Sequence, residues 1–178
     1  MTHQLNISEA RVYVGTFHKY NTGSLYGKWL ELSDYSDIEE FYDACKDLHA
    51  DEEDPEYMYQ DYENLPDELI SEYGISANIF EVLEAIEGMD ENHKEPFFVW
   101  CNNRSRNLAK EGIYDLISNF EEDFQGGYDD EEDFAREIVQ ELYDLPSIAK
   151  QYFDYEAFAR DLFMSDYWFE DGFVFRES

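Results

Sequence analysis

Ala10-Arg-Val-Tyr-Val-Gly-Thr-Phe-His18, Lys19-Tyr-Asn-Thr-Gly23 and Ser24-Leu-Tyr-Gly-Lys-Trp-Leu-Glu-Leu32 follow one another without a break. The first and third segments are β-branched and aromatic with partial alternation, which predicts two strands. The Asn and Gly between them predict a turn, so the three segments read as a hairpin. Working outward, Ser36 with Glu39 forms a capping-box pattern. Behind it Ile38, Phe41, Tyr42, Cys45 and Leu48 recur at helical spacing, which predicts a helix over about 37–48. Tyr57-Met-Tyr59 predicts a short third strand.

Residues 66–73 and 76–87 read as two short helices. The second is capped by Ser76 and carries Ile79, Phe80, Leu83 and Ile86 as its apolar stripe. The continuous apolar run Pro96-Phe-Phe-Val-Trp-Cys-Asn102 reads as a buried strand. Ser105 reads as the cap of a helix ending near Phe120, and Gly126-Gly-Tyr128 as a turn or loop. Residues 130–143 predict a strongly amphipathic helix, 145–152 and 154–163 two more, and 166–176 a hairpin. The expected fold class is α+β, divided into an N-terminal α+β module (1–61), a central helical module (62–103) and a C-terminal α+β module (104–178).

Lys and Arg number 12 against 44 Asp and Glu, a net charge of −32 in 178 residues, with the acidic excess spread along the whole chain. That balance excludes a binder of DNA or RNA phosphate, which needs a basic footprint. It also speaks against docking on an anionic membrane. An 18% aromatic content sets the chain apart from disordered acidic chains. No run of about 18 apolar residues predicts a membrane span. The opening Met1-Thr-His-Gln-Leu-Asn-Ile-Ser8 has no export-signal pattern. Two cysteines, Cys45 and Cys101, read as reduced thiols in a cytoplasmic protein.

The acids form rows. Asp130, Asp133, Glu137, Glu141 and Asp144 are spaced three or four apart, as are Glu39, Asp43, Asp47 and Glu81, Glu84, Glu87; Asp51, Glu52, Glu53 and Asp54 form a run. Like charges at helical spacing cost about 0.2–0.5 kcal/mol per pair. One such face is ordinary solvation. Three with almost no Lys or Arg partners suggest a surface that imitates a polyanion. At the B-DNA density of one charge per about 1.7 Å, the net charge matches roughly 54 Å of duplex. A compact chain of this length has a radius of gyration of only about 16 Å, so the imitation demands an elongated particle.

Competing chemistry has little support. Neither Asp51–Asp54 nor Asp129–Asp133 has the alternation and glycine of a calcium loop. Cys45 and His49 stand four apart, but zinc asks for more ligands, and a packed Cys with a surface His is the plainer reading. No nucleophile elbow, zinc-protease helix, P-loop or dinucleotide fingerprint is present, so neither catalysis nor a cofactor is expected. The remaining alternatives are charge for solubility in high salt, cation buffering, and an acidic module for another basic nucleic-acid-binding protein.

Three stretches carry a resemblance: residues 11–30 of the opening hairpin, Phe97-Phe-Val-Trp-Cys-Asn-Asn103, and Phe153-Asp-Tyr-Glu-Ala-Phe-Ala-Arg-Asp-Leu-Phe163 with Gly172-Phe-Val-Phe175. Together they resemble the ArdA antirestriction proteins of conjugative transposons and plasmids, over roughly residues 10–176. The resemblance implies an elongated, acidic, three-module homodimer that imitates bent B-form DNA. It implies stoichiometric inhibition of type I restriction–modification enzymes at the methyltransferase core of modification and specificity subunits. It also sets the family's antirestriction motif near residues 130–145, the region expected to make subunit contact through Tyr128, Phe134, Leu142 and Leu145.

Overall fold

The computed structural model describes residues 5–178; the first four residues of the opening segment read above for an export signal lie outside them. The chain is α+β and packs as two units, one running to Glu95 and including Arg106–Tyr114, the other Pro96–Ser105 with Asp115–Ser178.

The first unit is built on β1 (Arg11–Thr16), α1 (Phe17–Asn21), β2 (Lys28–Glu31), α2 (Ile38–Leu48) and β3 (Tyr57–Glu63). The two strands pair as a hairpin, with Val12 opposite Leu30 and Val14 opposite Lys28. But Phe17 and His18, read as strand, and Lys19 to Asn21, read as turn, form α1, and β2 starts at Lys28 rather than Ser24. β3 pairs on the other edge of β1, giving the antiparallel order β2-β1-β3. Val12 and Val14 are fully enclosed in the central strand. Phe41 of α2 is also fully enclosed, among the rings of Tyr35, Tyr59 and Phe80. The cap of α2 falls one residue later than expected. Asp37 accepts from the Glu40 N–H, and the Glu40 carboxylate accepts from the Ser36 N–H.

Residues 66–73 are not a helix. A single 3₁₀ turn leads into the short hairpin β4 (Ile70–Ser71) and β5 (Gly74–Ile75). The strand edge recruits this stretch, since the Tyr59 N–H donates to the Glu72 carbonyl. α3 (Ile79–Glu87) follows as expected, but Asn78 and not Ser76 precedes it, without a side-chain cap. Ile79, Val82 and Ile86 are fully enclosed.

The apolar run at 96–102 is the largest correction. It lies inside α4 (Glu91–Asn103) rather than in a strand. An unbroken apolar run has no period of its own. The turn at Asp90, whose carboxylate accepts from the Asn92 N–H, starts a helix that the run continues. Ser105 is likewise no cap: its backbone is left-handed at φ 53°, and α5 (Ile113–Asp123) starts later.

In the second unit Phe97, Trp100, Phe120 and Phe175 are almost wholly enclosed and touch one another in sequence. The Trp100 indole donates to the Asp123 carboxylate at 2.8 Å. The expected turn at Gly126-Gly127 belongs instead to β6 (Phe124–Gly127). Gly126, at φ 131°, absorbs a bulge in its pairing with β8 (Phe173–Arg176). Only glycine takes that backbone without strain. α6 (Glu131–Leu142), α7 (Ser147–Tyr152), α8 (Tyr155–Ser165) and β7 (Tyr167–Glu170) complete the unit in the expected order. Asp171 and Gly172 both have positive φ, the two-residue turn that joins β7 to β8. Trp168 stacks on its cross-strand partner Phe175 with ring centroids 4.1 Å apart.

Candidate functional site

Asp123 is the single buried carboxylate among the described residues. The acid rows therefore lie outside, for local reasons. On α2, Phe41 and Cys45 turn inward while Glu39, Asp43 and Asp47 stay exposed. On α3, Val82, Leu83 and Ile86 are buried while Glu81, Glu84 and Glu87 stay exposed. On α6, Phe134, Ala135 and Val139 pack while Asp133, Glu137 and Glu141 stay exposed. Amphipathic spacing alone produces this division.

Two members of the α6 row stand apart from it. Asp130 is the N-cap, accepting from the Asp133 N–H at 2.8 Å. Asp144 lies past the helix end, where the backbone is already extended at Tyr143. α5 adds Asp115 and Glu122, exposed and seven residues apart; the sequence reading ended that helix near Phe120, which left Glu122 outside it and this pair unread.

The rows run against helix electrostatics at one end. Acids in the first turns of α2 and α6 suit the helix dipole. The last turns of α3, α5 and α6 contain no basic residue and carry Glu87, Glu121, Glu122 and Glu141 instead. Each acid at such an end typically costs about 0.3–1 kcal/mol. Stability alone would favour Lys or Arg there.

The run at 51–54 divides. Glu53 and Asp54 are exposed. Asp51 and Glu52 both accept from the Lys19 ammonium at 2.8 Å, and Glu52 also accepts from Thr16 Oγ1 at 2.7 Å. Hydrogen bonding from Lys19 holds Asp51 below the usual carboxylate range. Burial works against the same effect at Glu52, but Lys19 and Thr16 outweigh it. His49, expected at the surface, is fully enclosed. Its Nδ1 lies 3.1 Å from the ammonium and its Nε2 3.2 Å from the Val14 carbonyl. These partners make Nδ1 the acceptor and Nε2–H the donor. His49, Asp51 and Glu52 gather their ligand atoms as a metal site would. The Lys19 ammonium stands among them and supplies the positive charge. Cys45, four residues away, is buried, which pushes its thiol up to about 12.

The candidate contact residues are distributed unequally. Phe134 is 2% exposed and packs edge-on against Tyr128, Phe163 and Tyr167. Tyr128 is half-buried and donates to the Glu137 carboxylate at 3.1 Å. Burial, then the hydrogen bond to Glu137 and its negative charge, pushes its hydroxyl up to about 12. Leu145 is half-buried, and Leu142 is 68% exposed.

No helix among the described residues is long and apolar enough to cross a membrane. No curated protein matches the chain. A family model described as antirestriction protein (ArdA) matches residues 12–175, almost the full length and including every acid row described above. The chain belongs to the ArdA antirestriction protein family.

Proposed function

We propose that this protein inhibits type I restriction–modification enzymes by occupying their DNA-binding groove with carboxylates in place of phosphates. The observation that carries the reading is the exposure of the acid rows, with helix ends that gain nothing in stability from being acidic. A groove lined with Lys and Arg draws much of its affinity from counterion release. Carboxylates pair well with the same side chains. Because folding fixes them in advance, little ordering entropy is lost on binding. No bond is made or broken, and inhibition is stoichiometric. The target surface is the methyltransferase core of modification and specificity subunits, and the cytoplasm is the implied compartment.

The acting acids are those of the three rows together with Glu53 and Asp54; Glu52 serves the fold. A homodimer and an elongated three-module particle belong to the same proposal. Exposed Leu142, with Tyr143 beside it, is the strongest candidate for subunit contact.

The test is competition. The protein should displace duplex DNA from a purified type I methyltransferase at near one dimer per enzyme. Asp133→Asn, Glu137→Gln and Glu141→Gln together should weaken displacement at least tenfold, and each alone less than threefold. A single acid whose neutralisation abolishes displacement, in a protein that stays folded, refutes the distributed mechanism.

A further inference from the structure

One side of α8 borders an open groove: Ala159 is buried and Phe163 rests on Phe134, while Glu156, Arg160 and Met164 stay exposed. Glu156, Ala159, Arg160, Phe163 and Met164 follow the spacing i, i+3, i+4, i+7, i+8, and all five line an open groove of about 760 Å³. The first turn of α6, from Asp130 to Glu132, and Phe169 of β7 complete its walls. Its chemistry is mixed. Phe163, Met164 and Phe169 form an apolar floor, and Met164 is 74% exposed. Asp130, Glu131, Glu132 and Glu156 form an acidic rim. Glu132 is neutralised by its ion pair with Arg136, which leaves three acids against Arg160.

A phosphate-mimicking surface has no use for an exposed methionine between phenylalanines. A small molecule would stay too wet in so open a groove. Thioether and aromatic side chains on a groove floor suit helix-in-groove recognition, where flexible Met surfaces adapt to the partner. The acidic rim fixes the charge of the occupant. We propose that this groove docks a basic amphipathic segment of a partner protein, one apolar side chain resting on Phe163, Met164 and Phe169 while flanking Lys or Arg side chains meet Glu131 and Glu156. Arg160 offers a donor to a main-chain carbonyl of the same segment. The proposal rests on the reading of this chain as an inhibitor of a basic target, and adds an apolar anchor to the charge contact.

The experiment uses the full-length protein and a labelled 14-residue amphipathic peptide of Lys, Leu and Trp, followed by fluorescence anisotropy at 150 mM salt. A second peptide keeps every Lys and replaces Leu and Trp by Ser. The proposal expects the first peptide to bind at least tenfold more tightly than the second, with amide shifts concentrated at residues 156–164 and 169. Met164→Glu separates the mechanisms, because it adds a negative charge while removing the anchor. The proposal expects weaker binding by Met164→Glu, about fivefold or more, whereas a purely electrostatic surface binds more tightly. Equal affinity for the two peptides, unchanged or tighter binding by Met164→Glu, or amide shifts elsewhere overturns it. So does a loss of self-association in Met164→Glu by sedimentation, which would make the groove a contact between copies. DNA displacement by the same variant is read separately. If the acid-row variants fail to act there, the inhibitor reading falls; if only the peptide experiment fails, the groove proposal falls alone.

Discussion

Replacing Lys19 with Met removes the cation beside His49, Asp51 and Glu52 while keeping a side chain of similar length. Lys19 and Glu52 are nearly enclosed, with 12% and 13% of their side chains exposed, and Asp51 is open at 64%. Asp51 simply regains water in the variant. Glu52 becomes a mostly buried carboxylate that keeps only its bond from Thr16, and His49 Nδ1 loses its donor. Stripping one partner from a fully buried pair costs about 3–5 kcal/mol, and losing a hydrogen bond to a charged group about 1.5–3 kcal/mol. Residual exposure and the retained Thr16 bond place Lys19→Met at about 2–3 kcal/mol. The pH dependence follows from the direction of the shifts. Lys19 holds Glu52 below its ordinary value, so the contribution of the pair is complete above the unfolded glutamate pKa of about 4.3 and is lost as pH falls through the folded one. The difference between wild type and variant should be full at pH 7 and smaller at pH 3.5, where the unfolded glutamate is already largely protonated. Urea unfolding at fixed ionic strength measures it, since guanidinium salt would screen the net charge of −32. Adding Glu52→Gln to the variant should recover part of the loss by removing the unpaired charge. A cost below about 0.5 kcal/mol at pH 7, or equal costs at both pH values, refutes the reasoning.

Phe120→Ala should cost about 3–5 kcal/mol in urea unfolding, because it empties the centre of the Phe97, Trp100 and Phe175 cluster; a loss under 1 kcal/mol would show that the cluster collapses freely. Thermal stability of the wild type should rise as NaCl is raised from 20 mM to 500 mM, since salt screens the repulsion of the exposed acids, and a flat response would mean that the repulsion is already relieved. The Tyr128 hydroxyl should ionise only near pH 12 in a difference spectrum of wild type minus Tyr128→Phe, and a transition near pH 10 would show that it does not face Glu137 in solution. Its raised value stabilises the fold fully below the ordinary tyrosine pKa and is lost as pH climbs through the folded one.

The elements that the sequence announces well are those with a clear period or a specific turn pair. The opening hairpin, α2, α6 and the closing Asp171-Gly172 hairpin all have one. Failures occur where the local signal is neutral. Phe97 to Cys101 is apolar at every position, so neither period is favoured, and the helix begun at Asp90 decides. Residues 70–75 have no strand pattern; they become strands because Tyr59 offers a hydrogen bond to Glu72. Gly126 and Gly127 look like a turn until β8 pairs with them.

By itself the sequence determined the net charge, the α+β class and the exposure of the acid rows, because amphipathic spacing of apolar neighbours is a local property and leaves the intervening carboxylates in water. Only the tertiary structure decided which acids are spent on the fold. Glu52 and Glu53 are adjacent and chemically alike, yet one is locked to Lys19, 33 residues away, and the other faces solvent. That choice belongs to the strand pairing that brings Thr16 and Val14 beside the end of α2, and no local pattern encodes it.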